Sequence, residues 1–153
     1  KLCGLHTLDS CRIEKGFRHF GHDITDEDHI LEAGLGFTVS GKKKGFLGRE
    51  ACLAKKASGL ERRLMQFKLL ESDQMLFHNE PILRNGEVVS YLTSANYGHH
   101  LGSAIGLGYV PCKDQTLDNV LGSDYEIDIA GRVVKAEISS KAFYDPKSEN
   151  VRM

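Results

Sequence analysis

The feature that most constrains this chain is a turn. Asn85-Gly86 lies between two short strand-like runs, Pro81 to Arg84 and Glu87 to Thr93. Both central positions of a type I′ turn need φ > 0, which Asn and Gly tolerate, so the dipeptide predicts a tight β-hairpin. Similar grammar surrounds it. Met65, Phe67 and Leu69 alternate with Gln66 and Lys68, and Ser103 to Val110 reads as another short strand. Tyr125, Ile127 and Ile129 alternate with Glu126 and Asp128, and Gly131-Arg132 turns the chain into Val133 to Ile138. Short strands punctuated by turn signals predict a small antiparallel barrel over residues 60–145.

Residues 1–59 follow a different pattern. Leu2, Leu5, Leu8 and Cys11 recur about every third residue, which predicts a helix over residues 2–15, with Gly16 as its C-terminal stop. Residues 17–34 read as a long loop. Leu35 to Val39 alternates and predicts a strand. Lys42-Lys43-Lys44 then falls in a turn between Gly41 and Gly45. Gly48 to Ala57 predicts a second helix, with lysines in its last turn and Gly59 to end it. This α/β segment has too few elements to form its own core. The chain opens on Lys1 rather than Met and enters a helical pattern at once, as a piece of a longer protein would. The polar stretch from Asp145 onward is expected to fray, with residues 146–153 as a tail. The expected fold class is α+β: an incomplete N-terminal α/β segment followed by a small antiparallel β-barrel.

Composition narrows the function classes. The 153 residues carry 20 Lys and Arg against 21 Asp and Glu, a formal charge of −1. That balance argues against a dedicated nucleic-acid or membrane-surface binder. No apolar run approaches the roughly 20 residues of a membrane helix, and no secretory signal is visible. Cys3, Cys11, Cys52 and Cys112 show no C-x-x-C spacing, so reduced, partly buried thiols are expected rather than zinc or disulfides.

Several residue groups could carry chemistry. The trilysine could hold a phosphate or a carboxylate tail, but it lacks the Gly-x4-Gly-Lys-Ser/Thr spacing of a P-loop, and a solvated turn is the plainer account. Gly102, Gly106 and Gly108 do not form a dinucleotide motif and read as strand glycines of a tight barrel. His19, His22 and Asp23 are metal-like residue types without metal-site spacing. His99-His100 has no nucleophile motif beside it. Glu14 stands apart. It falls in the last turn of its helix, where the macrodipole disfavours a carboxylate. Two accounts are open: an ion pair with Arg18, four residues on, or acceptance of hydrogen bonds from a ligand that offers a ring N–H beside an amino group.

The order of these motifs resembles a known family. Leu8 to Gly16, Phe17 to Thr25, Leu31 to Phe37 and Phe46 to Ala51 are similar to successive motifs of the glycine cleavage T-protein (aminomethyltransferase) superfamily. Glu80 to Ile82, Thr93 to Gly98 and Ala104 to Pro111 continue the resemblance. The Arg18-His19-Phe20-Gly21 form resembles the dimethylglycine and sarcosine dehydrogenase branch. Ala95-Asn96 and His29-Ile30 depart from the usual pattern of that family.

The resemblance implies a tetrahydrofolate-binding, one-carbon-transfer module of an N-methylglycine-type dehydrogenase, with 5,10-methylenetetrahydrofolate as product. FAD would belong only to an upstream domain. Residues 1–59 would be the C-terminal portion of the folate-binding domain. Glu14 matches the family glutamate at the pterin edge, which favours ligand contact over the ion pair. Lys43 is the best match for a cation near the folate glutamate tail, and Tyr97 lies in a loop the family brings towards the cofactor. No catalytic residue and no metal ligand is assigned here, since the family's catalytic aspartate belongs to the N-terminal half; the piece alone is therefore not expected to be active. Folate and an N-methylated glycine-type amine are the expected partners, with no nucleic acid and no membrane, in the cytoplasm or the mitochondrial matrix. The alternatives are an aminomethyltransferase of the glycine cleavage system and a non-catalytic barrel used in domain or subunit packing. A folate-dependent tRNA-modification factor gains no support from the charge.

Overall fold

A computed structural model describes residues 2–40 and 42–152. Six strands close into an antiparallel barrel: β1 (Arg62–Leu69), β2 (Pro81–Arg84), β3 (Glu87–Gly98), β4 (Ser103–Pro111), β5 (Tyr125–Ile129) and β6 (Arg132–Ser139). Their order around the barrel is β1-β4-β3-β2-β5-β6, and β6 returns to β1 with Phe67 opposite Ile138. The hairpin at Asn85-Gly86 is present, both residues taking positive φ. A short helix, Leu117–Leu121, lies between β4 and β5 and had no clear sequence signal.

The pleat divides β1 and β4 into two faces. Met65, Phe67, Leu69, Ala104 and Val110 point into the barrel with Ile82, Leu92, Ile127 and Val134. Leu64, Ile105, Leu107 and Tyr109 point outward, yet they are buried too, in a second cluster with Ile13. The cover is helix α1 (Leu5–Glu14) and the loop that follows it. β4 is therefore buried along both faces from Ser103 to Val110. Gly106 and Gly108 sit on its inner face; Gly102, placed among strand glycines on sequence, is instead a turn residue with φ of 67°.

α1 ends as its sequence predicts. Gly16 adopts φ of 70°; its N–H donates to Ile13 O, and Phe17 N–H donates to Arg12 O. This paired closure satisfies carbonyls that a helix end leaves open. The buried face of α1 is Ser10, Ile13 and Glu14, whereas Leu2, Leu5, Leu8 and Cys11 are exposed. The apolar stripe that predicts the helix is thus left exposed, with Leu5 and Leu8 at the edge of a cleft shared with Thr93 to Asn96 of β3. Helix α2 (Arg49–Ser58) follows the prediction, and Lys55 from its last turn pairs with Glu32 at 2.7 Å.

Two further expectations are corrected. Leu35 to Val39 is not a strand: Gly36–Thr38 forms a 3-10 turn, in which Thr38 donates both its amide and its hydroxyl to Leu35 O. The stretch after Asp145 does not simply fray. The Asp145 carboxylate accepts the N–H groups of Glu149, Asn150 and Val151, and the buried Lys15 ammonium donates to Asp145 O and Ser148 Oγ. Gly41, at one end of the trilysine turn, lies outside the described residues.

Candidate functional site

Glu14 is the last residue of α1, and its side chain is 5% exposed. A carboxylate there meets the negative end of the helix dipole and needs compensation. Arg18 does not supply it. The Arg18 guanidinium donates to Ala33 O and Gly16 O, so the ion-pair account is set aside. Burial lowers the Arg18 pKa, with Asp23 opposing. The compensation comes from the β3–β4 turn: the amides of His100 and Leu101 donate to Glu14 Oε1 at 2.8 and 2.9 Å. Among the described residues Glu14 Oε2 carries no hydrogen bond, and it is not sealed from solvent.

The helix end is anchored by residues that sequence reasoning missed. Buried Gln66 on β1 donates to Ile13 O and Glu14 O and accepts from Phe143 N. Ser10 Oγ donates to Tyr97 O at 2.7 Å. The alternation of β1 hides Gln66, because the outward face of a barrel strand is ordinarily wet and a polar residue there is expected. Nothing in the local sequence announces the backbone donors of the β3–β4 turn.

Tyr97 lies at the end of strand β3, not in a loop. Its ring meets that of His99 at 5.2 Å, while His100 meets Tyr144 at 4.3 Å, both edge-on. Glu14 and Tyr97 are thus brought to one end of the barrel. Lys43 is not joined to them by any contact among the described residues; it is exposed, and its amide donates to Ser40 Oγ.

A second polar centre locks α1 from its other side. Asp23 is fully buried and accepts from Arg12 Nη1 at 2.6 Å, Thr93 Oγ1 at 2.6 Å and His19 N at 2.9 Å. Asp23 is therefore committed to these donors, while the rings of His19 and His22 stack on each other at 4.8 Å. Among the described residues no three His, Cys, Asp or Glu side chains converge as a metal site, and no helix is long and apolar enough to cross a membrane. The loop after α1 roofs a cleft of about 580 Å³ lined by Lys15, Arg18, Phe37 and Gln66.

A buried carboxylate with one oxygen outside the protein's own hydrogen bonds has the chemistry to accept from an N–H donor. The comparisons bear on whose site it is. Residues 62–145 match the model of the glycine cleavage T-protein C-terminal barrel domain, more than half of the chain. The chain belongs to the glycine cleavage T-protein family. Residues 1–43 of this T-protein chain also match the GCVT N-terminal domain. It is 42% identical to 4-methylaminobutanoate oxidase (formaldehyde-forming) of Paenarthrobacter nicotinovorans, over 99% of the chain and 18% of that protein. It is 39% identical to an aminomethyltransferase of Synechocystis sp., over 93% of the chain and 37% of that protein. Mitochondrial sarcosine dehydrogenase of Homo sapiens is 37% identical over 97% of the chain and 17% of that protein. The chain spans less than two fifths of the length of each of these relatives. The fold matches the glycine cleavage system aminomethyltransferase T of Bartonella henselae with a TM-score of 0.76 and 25% identity, over 90% of the chain and 38% of that structure.

Proposed function

We propose that this T-protein chain is the tetrahydrofolate-binding, one-carbon-transfer part of an N-methylglycine or dimethylglycine dehydrogenase-type protein. The observation that carries the reading is Glu14: buried, anchored through one oxygen, and with the other oxygen free. Such an oxygen suits the adjacent ring N–H and amino donors of a pterin edge. Bound tetrahydrofolate would supply the nitrogens that take up a one-carbon unit. The chain's own part is positioning: Glu14 orients the ring, Tyr97 stands at the same barrel end, and Lys43 supplies a cation for the folate carboxylates. On this reading FAD belongs to another part of the polypeptide, the amine is an N-methylated glycine, and the compartment is the cytoplasm or the mitochondrial matrix. Residues 1–59 then act as the end of the folate-binding domain, residues 60–145 as its barrel and 146–153 as a tail.

The 39% identity to an aminomethyltransferase favours a second reading, transfer within a glycine cleavage system. Oxidation of an N-methylated amine by the full-length polypeptide separates the two. The folate reading is tested by calorimetric titration of that polypeptide with a stable reduced folate. Glu14→Gln is expected to weaken binding by about 1.5–3 kcal/mol, the range for a hydrogen bond to a charged group. Unchanged binding would remove Glu14 from the site.

A further inference from the structure

We infer that the β3–β4 turn is a carboxylate clamp that makes Glu14 a one-oxygen acceptor, with Gly98 as its specificity-determining positioning residue. The inference rests on the reading that Glu14 contacts folate, and it adds how the contact is built.

Three observations converge on the turn. First, two consecutive amides, of His100 and Leu101, donate to the same oxygen, Glu14 Oε1. A carboxylate oxygen has two acceptor directions, so Oε1 is fully engaged. Second, a Cβ built on Gly98 would lie 3.0 Å from Glu14 Oε1, 3.2 Å from its Cγ and 3.1 Å from Ile105 Cδ1. Gly98 does not adopt a left-handed conformation, so the glycine serves room rather than φ, and a methyl there would press on the Glu14 side chain. Third, the helix end that carries Glu14 is fixed on two further sides, by Gln66 on the carbonyls of Ile13 and Glu14 and by Ser10 on Tyr97 O.

The consequence is chemical. A free carboxylate would meet a ring N–H and its neighbouring amino group with two parallel bonds, one per oxygen. The clamp withdraws Oε1 and leaves Oε2, whose two acceptor directions must serve both donors. Recognition is then sensitive to where Oε2 points, and that direction is set by the turn of the barrel. Holding the carboxylate before the ligand arrives removes the cost of ordering it on binding.

The test uses the full-length polypeptide. Thermal midpoint is measured first, then affinity for a stable reduced folate and for an analogue whose ring lacks the exocyclic amino group. In Glu14→Gln the amide oxygen can still accept both clamp N–H groups, while its NH₂ faces the ligand as a donor. It is expected to hold its thermal midpoint within a few degrees and to lose at least tenfold in folate affinity. Gly98→Ala is expected to weaken folate at least fivefold and to cut the preference for folate over the analogue by half or more. Should Gly98→Ala fold poorly, Ile105→Val in the same chain removes the Cδ1 that the new methyl would strike and leaves the clash with Glu14 alone; Ile105→Val by itself is the control. A Gly98→Ala/Ile105→Val protein with wild-type affinity and preference overturns the clamp while a Glu14→Gln loss leaves the folate reading standing. Parallel loss of thermal midpoint and affinity with the preference intact also overturns it, in favour of a merely structural contact. Full affinity in Glu14→Gln, or no folate binding by the wild type, overturns the reading and the clamp together.

Discussion

Asp23 has no access to solvent, and each of its carboxylate oxygens is used. Arg12 bridges it to Asp9 and Ser94, Thr93 ties it to β3, and Tyr109 donates to its carbonyl at 3.0 Å. Removing one partner of a buried pair strands the other charge, which costs more than the pair contributes. Asp23→Ala is expected to cost about 3 kcal/mol in urea unfolding, near the low end for buried pairs because Arg12 keeps Asp9. Adding Arg12→Met should cost less than the sum of the two single changes, since the residues share one network. Tyr109 gives a second mark of this burial: desolvation and the negative charge of Asp28 push its phenol well above the ordinary range. Residues of this kind are only half legible. The mismatch of Glu14 with its helix dipole is visible in the sequence. Its answer is not, because backbone amides 86 and 87 residues away have no side-chain signature.

Among the elements, β4 is the tightest. A Cβ on Gly108 would lie 2.5 Å from Ile82 Cδ1 and 2.9 Å from the backbone oxygen of Tyr91. Gly106 meets chiefly the flexible end of Leu92. Gly108→Ala is therefore expected to cost about 1–3 kcal/mol of stability by overpacking, and Gly106→Ala less, in the same denaturation assay. Strand identity was readable where alternation and a turn dipeptide coincided, as at Asn85-Gly86. It misled at Leu35 to Val39, where alternation over five residues had no partner strand and Thr38 folded back on Leu35. It stopped short at Thr93, because Ser94 to Gly98 are small or polar apart from Tyr97; their pairing with Ser103 to Leu107 extends β3 to Gly98. Long-range pairing decides such stretches, and local pattern does not carry it.

At the scale of the molecule, two acids tie remote segments together: Glu32 joins α2 to β1, and Asp145 joins the C-terminal stretch to the end of α1. Burial alone would raise the Glu32 pKa, but Lys55, the Glu61 amide and Arg62 outweigh it and hold it below its ordinary value. Burial likewise acts upward on Asp145, and the amides of Glu149, Asn150 and Val151, with Lys15, bring the net shift downward. A carboxyl lowered on folding adds stability that is fully present above its unfolded value, about 4, and is lost as pH falls through the folded value. The urea midpoint is expected to stay level in this respect between pH 5 and 8, to fall below about pH 4, and to fall less steeply in Glu32→Gln. The exposed Leu2, Leu5 and Leu8 belong to the same scale. Their helical period was plain in the sequence, but the face they would cover was not, since periodicity says only that a stripe is apolar.

The anchoring of α1 by the far turn of the barrel also has a history in time. A ribosome adds roughly 5–20 residues per second. The 87 residues between Glu14 and Leu101 then correspond to roughly 4–17 s during which the helix has emerged without its anchor. The ring cannot shut until β6 has followed, since Ser139 pairs with Gln66. Through that interval the face of α1 that carries Ser10, Ile13 and Glu14 has no closed barrel to bury it.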